Sequence, residues 1–170
     1  MRIFAGLMSA SLVGMLMTGA SAGEKNAPLD NDFLIKVASC HNADIEISKL
    51  ADKRSASSPV KDFASMLIKE HKTSYDRVGM LLKTRKLGVV TGLEKETRDE
   101  LKRIGGLEGN DFDRAYLQCM VKEHKYAIRF FENQVKNGKE QEIRSFAQEM
   151  LPDLRKHLTK AEDLQKTVVK

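Results

Sequence analysis

An all-helical bundle is the fold class this sequence predicts, and three observations predict it. Apolar residues recur every three or four positions along four long stretches, the spacing of one helix face. Tryptophan is absent, proline occurs three times, and charged residues make up 31% of the chain, a composition of helices with solvated outer faces. Two of the connections between stretches are short, whereas the middle one runs to some two dozen residues. Two short turns make two antiparallel hairpins. A middle connector of that length can travel the full length of a bundle. Together these give a ferritin-like four-helix bundle with a long, partly helical crossover between the second and third helices.

The N-terminus is expected to be removed. Arg2 supplies a positive start, Ile3 to Met17 is an apolar run, and Ala20-Ser21-Ala22 is a small-residue cleavage sequence. Residues 1–22 therefore read as a signal peptide and 23–170 as one domain, placed in a periplasm or against the outer membrane. The apolar run is too short for a comfortable membrane span, and the residue directly after Ala22 is Gly23, not a cysteine that could carry a lipid. The mature chain is thus expected to lie outside the bilayer.

The first bundle helix is expected over about 30–54, after the capping residues Asp30, Asn31 and Asp32. Its stripe reads Phe33, Val37, Cys40, Asp44, Ile47, Ser48 and Ala51. The second is expected over about 59–87, with Pro59 in its first turn, and reads Val60, Phe63, Ala64, Leu67, His71, Ser74, Val78, Leu81 and Leu82. A short polar helix at about 92–104 sits in the connector and ends at Gly105-Gly106. The third bundle helix, about 111–137, reads Asp113, Tyr116, Leu117, Met120, His124, Ala127, Ile128, Phe131 and Val135. Asn137-Gly138 stops it. The fourth, about 140–168, reads Ile143, Phe146, Ala147, Met150, Leu154, His157, Ala161, Leu164 and Val168, with Pro152 inside it, where a kink is expected. A faint repeat relates Val60 to Leu67 with Ile143 to Leu151, and its offset lays His41 on His124.

The net charge of +5 mixes acids and bases along the chain. No basic stripe interleaved with aromatics appears, which argues against nucleic acid as a partner. Catalytic nucleophile arrangements, phosphate loops and Cys-x-x-Cys pairs are also missing, so no reaction class is selected. Cys40 and Cys119 lie far apart in sequence and leave both a disulfide and two free thiols open.

The candidate site lies inside the stripes. Lys-Glu-His-Lys occurs twice, at 69–72 and 122–125, and in each copy the histidine falls on the apolar face while its neighbours fall to the rim. His157 lies within the fourth stripe. Asp44 is read as the inward ionisable residue of the first helix, with His41 bordering that stripe. Each helix then carries one ionisable group where a hydrophobe would cost less, and a buried charge needs a partner, a proton or a metal. Three imidazoles and a carboxylate suit a divalent transition metal. Asp44, His71, His124 and His157 are the expected ligands, with Glu70, Glu123, Asp153 and His41 in reserve. No Glu-x-x-His occurs, which rejects the usual di-iron carboxylate centre. The competing expectation is a non-enzymatic envelope or stress protein with a protein partner, whose core histidines only hydrogen-bond and fix the register of the bundle.

Asp44 to Ala51, the "FASM" run leading to His71, the "FDRAY" run leading to His124 and the "LPDL" run leading to His157 together resemble the bacterial family of domain of unknown function four-one-four-two. The resemblance spans Asp30 to about Leu164. It implies an exported protein, described for some members as an outer membrane protein, with a ferritin-like fold. It carries no established activity. Asp44 stands where glutamate is usual in the family, and Cys40-His41 where small or polar residues are usual.

Overall fold

A computed structural model describes residues 30–88 and 91–168 of the 170-residue chain. The expected signal peptide lies outside the described residues. Among those residues there are five helices and no strands: α1 (Asp30–Arg54), α2 (Ser58–Thr84), α3 (Lys95–Gly105), α4 (Gly109–Asn137) and α5 (Gln141–Val168). No described helix is long and apolar enough to cross a membrane.

Local sequence sets each boundary. Ser57 stands before α2 in extended conformation and Pro59 fills its first turn, where a missing N–H costs nothing. The α4–α5 turn is closed by Gly138. Its φ is −60°, so left-handed freedom is not the reason for glycine there. A Cβ at Gly138 would meet the Gln134 side-chain nitrogen at 2.3 Å and its carbonyl oxygen at 2.7 Å, so the requirement is space. Pro152 is tolerated, and α5 runs through it without a break.

Contacts at the two ends of the bundle fix the topology. At one end, Asp30 of α1 accepts hydrogen bonds from the backbone N–H of Lys139 (3.2 Å) and Glu140 (2.9 Å) at the start of α5, and from the Gln134 amide near the end of α4. A carboxylate there offsets both the unpaired donors and the positive dipole end of α5. At the same end, Arg85 after α2 pairs with Glu140 (2.7 Å) and Glu142 (3.0 Å). At the opposite end, Ser48 of α1 bonds Tyr116, early in α4, at 3.1 Å. Thus α1 is antiparallel to α4, and α2 to α5. The chain leaves α2 at one end and enters α4 at the other, so residues 85–108 must run the length of the bundle. This is the ferritin-like crossover. Along it α3 lays Ile104 into the core, and Glu94 pairs with Lys36 of α1 at 2.9 Å.

The core has two apolar compartments. One, toward the Tyr116 end, holds Val60, Phe63, Leu67, Ile104, Phe112, Leu117 and Met120. The other, toward the Asp30 end, holds Phe33, Leu34, Val78, Leu82, Phe131, Ile143 and Phe146. Burial of these side chains contributes about 1.5–3 kcal/mol each before the entropy of ordering is counted. Between the compartments lies a polar layer.

Candidate metal centre

The layer is built of all four histidines, one from each bundle helix. His41 of α1, His71 of α2, His124 of α4 and His157 of α5 are each at most 3% exposed. His71 is central. Its ring centroid lies 5.0 Å from that of His41, 5.6 Å from His124 and 5.3 Å from His157, while His124 and His157 are 5.3 Å apart.

The first helix needs a correction. Its inward centre is His41, and Asp44 lies at the edge, with 14% of its side chain exposed. The expected stripe through Cys40 and Asp44 is one border of a wide buried arc. The other border runs through Leu34, Ala38, His41, Ile45 and Ser48. The arc is wide because α1 packs against α2 on one side and α4 on the other, with α3 adding a third neighbour. Asp44 still touches the layer: its Oδ2 is 3.5 Å from His71 Nδ1.

The reserve residues divide. Glu70 is half-buried, and its Oε2 lies 2.6 Å from His157 Nε2, making it the partner of a histidine on the facing helix. Glu123 is half-buried beside Asp44, Cys40 and Cys119 without bonding a histidine. Asp153 is exposed at the mouth of a small cavity. Both copies of Lys-Glu-His-Lys show the expected pattern, with buried histidines and exposed lysines. Cys40 and Cys119 are free thiols, and burial with nearby Asp44 and Glu123 charge pushes both up to about 12.

Hydrogen bonding assigns the ring nitrogens. His124 Nδ1 lies 2.9 Å from the Met120 carbonyl oxygen, which can only accept, so Nδ1–H donates and Nε2 carries the lone pair of the neutral ring. Burial holds Glu70 up, but the hydrogen bonds from His157 and Lys156 outweigh it and keep this carboxyl below its usual range. An ionised Glu70 accepts from His157 Nε2–H, so Nδ1 is the nitrogen not engaged with it. His41 Nδ1 and His71 Nδ1 are 2.8 Å apart, so one donates to the other. The second nitrogens, His41 Nε2, His71 Nε2, His124 Nε2 and His157 Nδ1, are buried without a protein partner. An unpaired buried polar atom costs about 1–3 kcal/mol, and a leucine at any of these places would avoid that cost.

Charge is suppressed in the layer. Burial, reinforced by His124 and His157, lowers His41 to about 3. Burial and His157 lower His124 to about 4, against the Met120 hydrogen bond. Burial and the three neighbouring rings hold His71 well below the ordinary imidazole value. Burial and Glu123 raise Asp44 to about 8. At neutral pH these rings are neutral, the form that binds metal.

Among the described residues two groups bring ligand atoms within 4.8 Å of one another: His71, His124 and His157, and His41, Asp44 and His71. Tris-imidazole and imidazole-carboxylate sets both suit first-row transition metals, so the layer could hold one. The four ligands expected together are therefore split, with Asp44 in a different group from His124 and His157. Glu70 is the kind of outer carboxylate that orients a ligating imidazole. Two cavities reach the layer. One of about 280 Å³ is lined by His41, His71, His157 and Glu70, between α2 and α5. One of about 510 Å³ is lined by Cys40, Asp44, Cys119 and Glu123, along α1, α3 and α4.

Glu70 and His41, both expected only in reserve, take part in the layer. The internal repeat that lays His41 on His124 was the one available signal for His41. Glu70, expected as a reserve ligand, instead bonds a histidine 87 residues away.

Fold and layer together define a class: an all-α, ferritin-like bundle with histidines across its middle. Within that class, the chain belongs to the family of the domain of unknown function DUF4142, whose profile matches residues 16–164. No curated protein is similar enough in sequence to count as a relative. Solved structures share the fold at low identity. A DUF305 protein from Streptomyces coelicolor, inferred to be secreted, is 17% identical with a TM-score of 0.71, covering 82% of this chain and 92% of its own. A DUF305 fragment from Deinococcus radiodurans is 14% identical with a TM-score of 0.74, covering 82% and 97%. CopM, solved in Cu(II)-bound and Cu(I)-bound forms, is 14% identical with a TM-score of 0.70 and the same coverage.

Proposed function

We propose that this chain is an exported metal-binding protein whose histidine layer takes a transition metal such as copper or zinc through His71, His124 and His157. The observation that carries the reading is the set of second ring nitrogens, buried without partners in the middle of an apolar core. Hydrogen bonds alone would explain one nitrogen of each ring and leave the other at a cost. A metal ion would use the lone pairs of His124 Nε2 and His157 Nδ1, and that of His71 Nε2 when His71 donates to His41 through Nδ1. Glu70 would hold the His157 ring and raise its basicity, and the Met120 carbonyl would do the same for His124. The copper-bound forms of CopM support the choice of metal through a shared fold only. Export is supported by the sequence of residues 1–22, and periplasmic residence follows from it.

The test is metal content. The untagged chain is purified from a periplasmic extract, and bound metals are measured by mass spectrometry. About one or more ions per chain are expected, with His71→Ala plus His124→Ala losing them. Glu70→Gln should bind about 10–100-fold more weakly in a competition titration. Substoichiometric metal in all proteins, with no melting shift on adding zinc or copper, would leave the histidines as structural groups and favour the envelope-interaction reading.

A further inference from the structure

We propose that the layer contains two metal positions and that His71 serves both, one through each ring nitrogen. The second position consists of His41, Asp44 and His71, and its carboxylate lines the cavity along α1, α3 and α4. This rests on the reading of the layer as a transition-metal site.

Three observations lead there. First, the ligand atoms fall into two groups that share only His71. Second, the two nitrogens of His71 have different surroundings. Nδ1 lies 2.8 Å from His41 Nδ1 and 3.5 Å from Asp44 Oδ2, whereas Nε2 is buried without a partner. The two nitrogens of an imidazole point away from each other, so no single ion can use both. Third, the second group alone reaches a further cavity: His41, His71 and His157 line the one between α2 and α5, whereas Asp44 lines the larger one along α1, α3 and α4.

The two donor sets differ in chemistry. The first is three imidazoles. The second is two imidazoles and a carboxylate that lines a cavity also presenting Glu123, Cys40 and Cys119. Two imidazoles and one carboxylate with open positions suit zinc or iron(II). Filling the second position would move the proton between the two Nδ1 atoms off them, leaving His41 with its one ring proton on Nε2, and would release the Asp44 proton to solvent. With both positions filled, His71 would be an imidazolate, its one ring proton also released to solvent.

Zinc(II) and copper(II) are the probes. The untagged full chain is saturated with zinc, desalted and analysed by mass spectrometry. Two zinc ions per chain are expected. His41→Gln with Asp44→Asn should retain one, His124→Gln with His157→Gln should retain one, and His71→Ala should retain none. One ion in the unaltered chain, lost wholly in either double variant, would overturn the second position while leaving the metal-binding function intact. No ion at all would overturn both. The copper experiment needs no variant and so does not depend on how the substituted chains fold. The copper(II) electron-spin signal should rise to one equivalent and then fall toward two, because spins coupled through a shared imidazolate cancel. A signal that grows linearly to two equivalents would overturn the shared ring.

Discussion

In the first hairpin, His41 and His71 hydrogen-bond each other at 2.8 Å, with Asp44 alongside. In the second, His124 and His157 face each other at 5.3 Å but turn their bonded nitrogens away, one to its own helix and one to Glu70 of the first hairpin. The hairpins occupy equivalent places in a pseudo-symmetric bundle, and each offers two histidines. The pair in α1 and α2 finds its one hydrogen bond within its own hairpin. The pair in α4 and α5 depends on α2 to fix one of its rings. Fold symmetry therefore does not carry over to the wiring, and the layer exists only where both hairpins meet.

The largest expected effect breaks that meeting. Phe33 of the first hairpin lies 5.1 Å from both Phe130 and Phe131 and 6.5 Å from Phe146, all in the second. Phe33→Ala should lower the unfolding free energy by about 3–5 kcal/mol in urea titrations. A loss below about 1.5 kcal/mol would mean that the hairpins are joined elsewhere.

A change with pH would sharpen the comparison next, in metal-free protein. The depressed histidines, His41 at about 3 and His124 at about 4, refuse protons that the unfolded chain accepts below about 6.5, so stability drains as pH falls through that range. Asp44, raised to about 8, keeps a proton that the unfolded chain loses above about 4, so its contribution drains as pH rises toward 8. Several histidines oppose one carboxyl below about 6.5, and only the carboxyl acts above it. The melting temperature should peak near pH 6.5, and Asp44→Asn should flatten the decline from there to pH 8. An unchanged decline in that variant would place its cause outside the first hairpin's carboxyl.

The smallest effect tests the end contact. Asp30→Ala strips the acceptor for Lys139, Glu140 and Gln134 and should cost about 0.5–2 kcal/mol. Thermal denaturation would show it, and a neutral result would mean that α5 caps itself.

The helices, their order and the crossover were legible because helical periodicity and loop length are local properties. His71, His124 and His157 were legible for the same reason, each being the one polar residue at the middle of an apolar stripe. His41 was not, because α1 buries a wide arc and a stripe can be drawn along either border. Choosing the Cys40–Asp44 border made Asp44 the centre and His41 the margin, the reverse of what packing against α2 and α4 requires. Glu70 reads as a rim residue by its position on α2. Only the approach of α5 turns that rim into a hydrogen-bonded partner for His157. The split of the ligands into two groups depends on ring orientation, which no residue spacing encodes.

The polar layer also bears on the order of assembly. Contacts within each hairpin are local in sequence and dominate the packing, whereas the layer unites residues from α1, α2, α4 and α5. Hairpins can form early, and the layer closes when they dock. Interactions made after the transition state act on escape from the native state and leave entry to it unchanged. Zinc should therefore slow unfolding in stopped-flow experiments and leave the refolding rate nearly unaltered. Faster refolding with zinc would mean that the four histidines gather before the hairpins dock. With the expected result, the layer is a latch on a finished bundle: the metal sets how long the fold lasts, while apolar packing sets how fast it forms.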